Sequence, residues 1–177
     1  MKRNTTMRVT YIFALAAVAA IGGCSSSAGG DDNANSTGCT ITLTGASTGS
    51  PACTPIGTFW TSDDNMTAFG FVPDLSDPGA LVTISFTGQP STKTYRETDP
   101  GTVAAISISS GASQWAMQTA SDGTPASGGF TLTITSANTI TSAADARTYQ
   151  LHGTLTATLP AVAGTAATGT VTLKATF

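Results

Sequence analysis

Charge is scarce in this sequence: Asp, Glu, Lys and Arg make up 10% of 177 residues, seven basic against ten acidic. The basic residues form no run or face that could neutralise a phosphate backbone, so nucleic acid is excluded as an expected partner. Histidine occurs once, as His152. One imidazole with scattered thiols makes a poor zinc site and leaves an acid-base pair incomplete. Cys-x-x-Cys spacing is absent, so redox catalysis is not expected. Long apolar runs are also missing. The longest, Tyr11 to Ile21, is about ten residues, against the roughly 20 a spanning helix needs. Beyond residue 38 no segment carries a capped, 3.6-period amphipathic pattern. These absences point away from enzymes and leave no cofactor to expect.

What the chain has is threonine, about a fifth of its residues, with much Ser, Gly and Ala. Thr is β-branched and suits the exposed side of a strand. The apolar period from Cys39 onward is two: Val82, Ile84 and Phe86; Ala104, Ile106 and Ile108; Phe130, Leu132 and Ile134; Tyr149, Leu151, Gly153, Leu155, Ala157 and Leu159; Val171, Leu173, Ala175 and Phe177. The intervening positions are mostly Thr or other polar residues, the pattern of antiparallel sheets with one wet face. Asp77-Pro78-Gly79, Gln89-Pro90, Asp99-Pro100-Gly101 and Asp122-Gly123-Thr124-Pro125 separate the runs, and Pro-Gly suits a type II turn. The two Asp-Pro-Gly segments each precede a strand pattern and read as a duplicated turn-strand unit. Residues 39–177 therefore predict an all-β domain, a β-sandwich or closed Greek-key barrel of roughly eight to ten short strands.

The first 23 residues read differently. Lys2, Arg3 and Arg8 precede the apolar run, and small residues follow at Gly22 and Gly23, the layout of a cleaved signal peptide. Ile21-Gly22-Gly23-Cys24 resembles the lipobox of bacterial lipoproteins, although that family usually has Leu where Ile21 stands. The resemblance implies cleavage before Cys24, diacylglyceryl on its thiol, and membrane attachment through two or more acyl chains, enough for stable anchoring. In that family an Asp after the Cys often retains the protein at the inner membrane. Ser25 stands there, so the outer membrane is the expected location, with the domain on its periplasmic or exterior side. Residues 24–38, rich in Ser, Gly, Asp and Asn, are expected to be a flexible linker. Losing three cations and no acid takes the formal charge from −3 to −6.

With Cys24 assigned to lipid, Cys39 and Cys53 remain as an expected structural disulfide in an oxidising compartment. The tail from Tyr149 to Phe177 resembles closing strand pairs of uncharacterised bacterial surface lipoproteins, which implies an all-β fold and no activity. Its alternation also resembles the last strand of outer-membrane barrels, but the Pro-rich short runs and sparse aromatic residues speak against the girdled barrels of that kind.

Few residues suggest chemistry. Gly45-Ala46-Ser47-Thr48-Gly49 matches a nucleophile-elbow pattern and Asp145 and His152 follow in order, but the context offers a turn instead of the required strand-turn-helix. Asp63 and Asp64, with Asn65, Asp74 and Asp77, are candidate Ca²⁺ ligands without EF-hand spacing; solvated turn acids are the simpler expectation. Trp60 and Tyr95 are candidate stacking residues for a sugar, whereas Trp115 shares parity with Met117 and belongs to the core. The expected function is a non-enzymatic interaction or structural role at the envelope, with a carbohydrate- or Ca-binding module as the alternative.

Overall fold

A computed structural model of the chain describes residues 38–71, 77–119 and 125–177. Among these residues there are eleven strands and no helix: β1 (Thr40–Gly45), β2 (Pro55–Thr61), β3 (Met66–Phe71), β4 (Gly79–Thr87), β5 (Thr94–Arg96), β6 (Thr102–Ser110), β7 (Ser113–Thr119), β8 (Pro125–Ser127), β9 (Gly129–Ser142), β10 (Ala146–Pro160) and β11 (Thr170–Thr176). The domain is all-β and its strand pairs are antiparallel, as period-two alternation with one wet face requires. The count exceeds the expected eight to ten because β5 and β8 have three residues each, too few to register as alternation. Nor are all strands short: β9 spans 14 residues and β10 spans 15.

These two long strands organise the sheet. Along one edge of β10, Ala146–Tyr149 pair with β2 and Thr154–Pro160 pair with β11, while β9 follows the opposite edge. The sheet therefore forks at β10. One branch runs β5-β9-β10-β11-β1, the other β10-β2-β3-β4-β6-β7-β8. The second branch curls until β7 meets the chain just past β10, through a Trp115 to Ala161 bridge and the bond from Val162 N to Gln114 O. The core lies inside this curl.

Gly153 sits where β10 passes from one branch to the other. Its N–H donates to Phe177 O and its carbonyl accepts from Phe177 N, and a Cβ there would collide with Thr133 O and the Phe177 ring. Two register shifts precede Gly153, at Thr148/Tyr149 and His152/Gly153, and bend the ribbon. Phe177 then packs at 4.7 Å from Phe69 and 5.9 Å from Phe71. The register aligns Ile41, Ala175, Leu155, Leu132 and Tyr95 across the first branch, and all five are buried in one core with Val82, Ile84, Ile106 and Ile108 of the second. Each such Leu or Ile contributes about 1.5–3 kcal/mol by leaving water.

Cys39 and Cys53 form the expected disulfide, with Cα atoms 5.3 Å apart. The bridge helps fold the intervening segment back on β1, where Leu43 N donates to Gly49 O at 2.8 Å. That contact covers an edge strand otherwise open to pairing. Asp99-Pro100-Gly101 makes the expected turn: Thr102 N donates to Asp99 O at 3.1 Å and Gly101 has φ of 73°. Asp77-Pro78 differs, being cis, and Gly79 opens β4 without positive φ. Gly79 and Gly101 thus differ in conformation, and the strands after the two Asp-Pro-Gly segments, β4 and β6, pair with each other.

Candidate functional site

At the end of the curl where β2 meets the start of β10, the inner layer turns polar. Trp60 and Arg147 are register partners, and the guanidinium lies 5.7 Å from the indole ring centre. Arg147 Nη1 donates to Gln89 Oε1 at 2.9 Å, and the Tyr149 hydroxyl donates to the same oxygen at 3.0 Å. With its carbonyl held by two donors, the Gln89 amide must point its N–H groups elsewhere. Trp60 Nε1 donates to Asn65 Oδ1 at 3.3 Å, which orients that amide in the same sense. Thr67, fully buried, donates to Gly88 O at 2.6 Å and fixes the Gly88-Gln89 segment over the rim. Arg147 Nε is buried without a hydrogen-bond partner. The rim thus carries a surplus of donors beside an aromatic edge, which suits an acceptor-rich ligand such as a sugar or a carboxylate.

Of the two predicted stacking residues only Trp60 belongs to this rim. Tyr95 is 2% exposed; its ring stacks on Phe86 at 4.0 Å under the Lys93 ammonium, so it is a core residue and presents no platform. Trp115 is buried as its parity predicts, its indole N–H donating to Thr168 O. Asp63 and Asp64 are exposed in the β2–β3 turn, and among the described residues no three His, Cys, Asp or Glu side chains gather as a metal ion requires. Asp74 lies outside the described residues, as do Cys24 and the rest of the N-terminal segment through residue 37.

Ser47, Asp145 and His152 are not brought together. Gly45 is level with Leu159 across β11, and Leu159 and Asp145 lie on opposite sides of His152 along the β10 segment, each roughly 20 Å away at the rise of an extended strand. His152 is half-buried at the bend of β10, with Thr135 Oγ1 donating to its backbone carbonyl. Arg147, Tyr149 and Gln89 carried no sign of a shared site in the sequence, because the rim joins side chains about 60 residues apart that only the folded sheet and the loop after β4 bring together.

The outer face of the first branch is a lattice of threonines. Thr40, Thr176, Thr154, Thr133 and Thr94 form one cross-strand row, and Thr42, Lys174, Thr156, Thr131 and Arg96 form the next. Neighbours in the first row bond through their hydroxyls, Thr40 to Thr176 at 2.6 Å and Thr94 to Thr133 at 3.1 Å. Two open depressions of about 330 and 500 Å³ lie on this face, the larger bordered by Arg96 and Glu97. Compared with known proteins, the chain matches no family model, no curated protein and no solved structure.

Proposed function

We propose that this chain is a lipid-anchored protein of the cell envelope, held at the outer membrane by acyl groups on Cys24, whose β-domain has an interaction or structural role and no catalytic one. The observation that carries this reading is the agreement of the charged start, the short apolar core and Ile21-Gly22-Gly23-Cys24. The disulfide supports it, since pairing Cys39 with Cys53 uses two of the three cysteines and leaves Cys24 for acylation. No helix among the described residues is long and apolar enough to cross a membrane. Bacteria expressing the chain and fed an alkyne-bearing fatty acid should label the membrane-bound protein, and Cys24→Ala should abolish the label. Label that persists in Cys24→Ala refutes the anchor.

A second reading, a carbohydrate-binding module, rests on the rim. Trp60 supplies an aromatic edge, and Gln89, Asn65 and Arg147 supply oriented donors, the combination sugar sites use. A glycan-array signal lost in both Trp60→Ala and Arg147→Met would favour it; absence of binding to any glycan sinks it. The Ca²⁺ version of this reading rests on Asp63 and Asp64 alone, and a melting temperature unmoved by added Ca²⁺ removes it.

A further inference from the structure

We propose that the outer face of β2, β3, β4 and β6 rests on the lipid surface to which the chain is tethered; this rests on the anchor reading above. No charged residue occurs in these four strands. The register aligns Phe59, Ala68, Ser85 and Val103 in one outward row and Gly70, Thr83 and Ala105 in the next. Phe59, Leu81 and Val103 remain 49%, 38% and 51% exposed, three of the four large apolar side chains that the described residues leave in water. Beside Phe59 lies an apolar hollow of about 100 Å³ floored by Gly57, Phe69 and Gly70. A side chain at Gly70 would fill it, its Cβ meeting Val82 O at 2.5 Å.

Size and charge select the occupant. From Phe59 to Val103 is three strand spacings and from Leu81 to Ser85 four residues, about 14 by 13 Å, or on the order of 200 Å². A stable protein interface needs about 800 Å² per partner, so a second copy or a tightly held protein is disfavoured. A bilayer needs no such area, because the anchor already supplies the affinity and makes the contact intramolecular. Fifteen peptide steps join Cys24 to Cys39, a reach of at most about 50 Å, so a tethered domain stays within that distance of the bilayer and meets it at high effective concentration. Asp63 and Asp64 border the patch at the β2–β3 turn, so uncharged headgroups suit it better than anionic ones. The Thr-rich outer face, with Lys174 and Arg96, stays in water.

Hydroxyl-radical footprinting of the full acylated protein on phosphatidylcholine vesicles, against Cys24→Ala protein free in solution, tests the contact. Oxidation of Phe59, Leu81 and Val103 should fall by roughly threefold or more on vesicles, as for side chains withdrawn into the headgroup boundary. Ile140, 58% exposed in the β9–β10 hairpin, should react equally in both. Equal reactivity of Phe59 and Val103 in the two states overturns the proposal. Protection already present in solution and growing with protein concentration also overturns it, by making a second copy the cover. Failure of the anchor is a distinct outcome: a chain with unmodified Cys24 that does not float with vesicles takes both readings down, whereas a floating, acylated chain with unprotected Phe59 takes down the docking alone.

Discussion

Along β10 and β11 the outward positions are Thr154, Thr156, Thr158, Thr172, Lys174 and Thr176, whereas along β3, β4 and β6 they include Ala68, Gly70, Thr83, Ser85, Val103 and Ala105. The inner faces of the two branches do not differ in this way. Both are filled by Leu, Ile, Val and aromatic residues sharing one core. Folding therefore makes the same demand on each branch, and the contrast between the outer faces reflects what each one meets. Thr on an exposed strand satisfies β-geometry through its branched carbon and water through its hydroxyl. Val satisfies only the first, and Ala and Gly satisfy neither, which suits a surface that is not left to water alone. The two branches are joined by one bent ribbon, so the protein can present two unlike surfaces on a single fold.

The joining ribbon is where the largest effects are expected. Leu155→Ala, in the strand both branches share, should cost about 2–5 kcal/mol in denaturant unfolding with a single transition; two separated transitions would show that the branches are independent units. Replacing both Cys39 and Cys53 by Ala should cost about 3 kcal/mol in the chain-entropy model, with hydrogen exchange rising most in β1. An equal rise in β4 and β6 would mean that the bridge does not act locally on the Thr-rich branch. Tyr149→Phe removes the hydroxyl bond to Gln89 and should cost about 1 kcal/mol while loosening residues 88–90. The smallest effects sharpen the contrast most. Val103→Thr and Thr156→Val, exchanged between the two outer faces, should each leave stability within about 0.5 kcal/mol. Only the first should weaken vesicle protection at Phe59; a loss of protection in both would erase the distinction between the faces.

In the branch containing β9, β10 and β11 the runs from Phe130 to Ile134, Tyr149 to Leu159 and Val171 to Phe177 were legible because each alternates without a break, and the cysteine pair was legible by elimination. β2 and β3 were not. A register irregularity between Ile56 and Phe59 shifts the parity, and Phe69, Gly70 and Phe71 are all buried, which erases the period of two. The same irregularity turns Phe59 outward while its neighbour Trp60 joins the rim. The face of Tyr95, a candidate stacking residue, is not legible for a related reason: a three-residue strand carries too little pattern to assign one, and pairing with Leu132 puts its ring in the core. The rim itself depends on Gln89 meeting Arg147 and Tyr149 across the fold, a contact set by sheet closure with no local residue pattern.

The contrast between a wet face and a lipid-facing one depends on the tether at Cys24. Intact-mass measurement of protein extracted from membranes tests it most directly. The chain should begin at Cys24, carry a diacylglyceryl group with or without an N-acyl chain, and hold Cys39 and Cys53 in one disulfide. A mature chain that starts elsewhere, or an unmodified thiol at Cys24, would contradict the anchor and leave the apolar face of β2, β3, β4 and β6 without its bilayer.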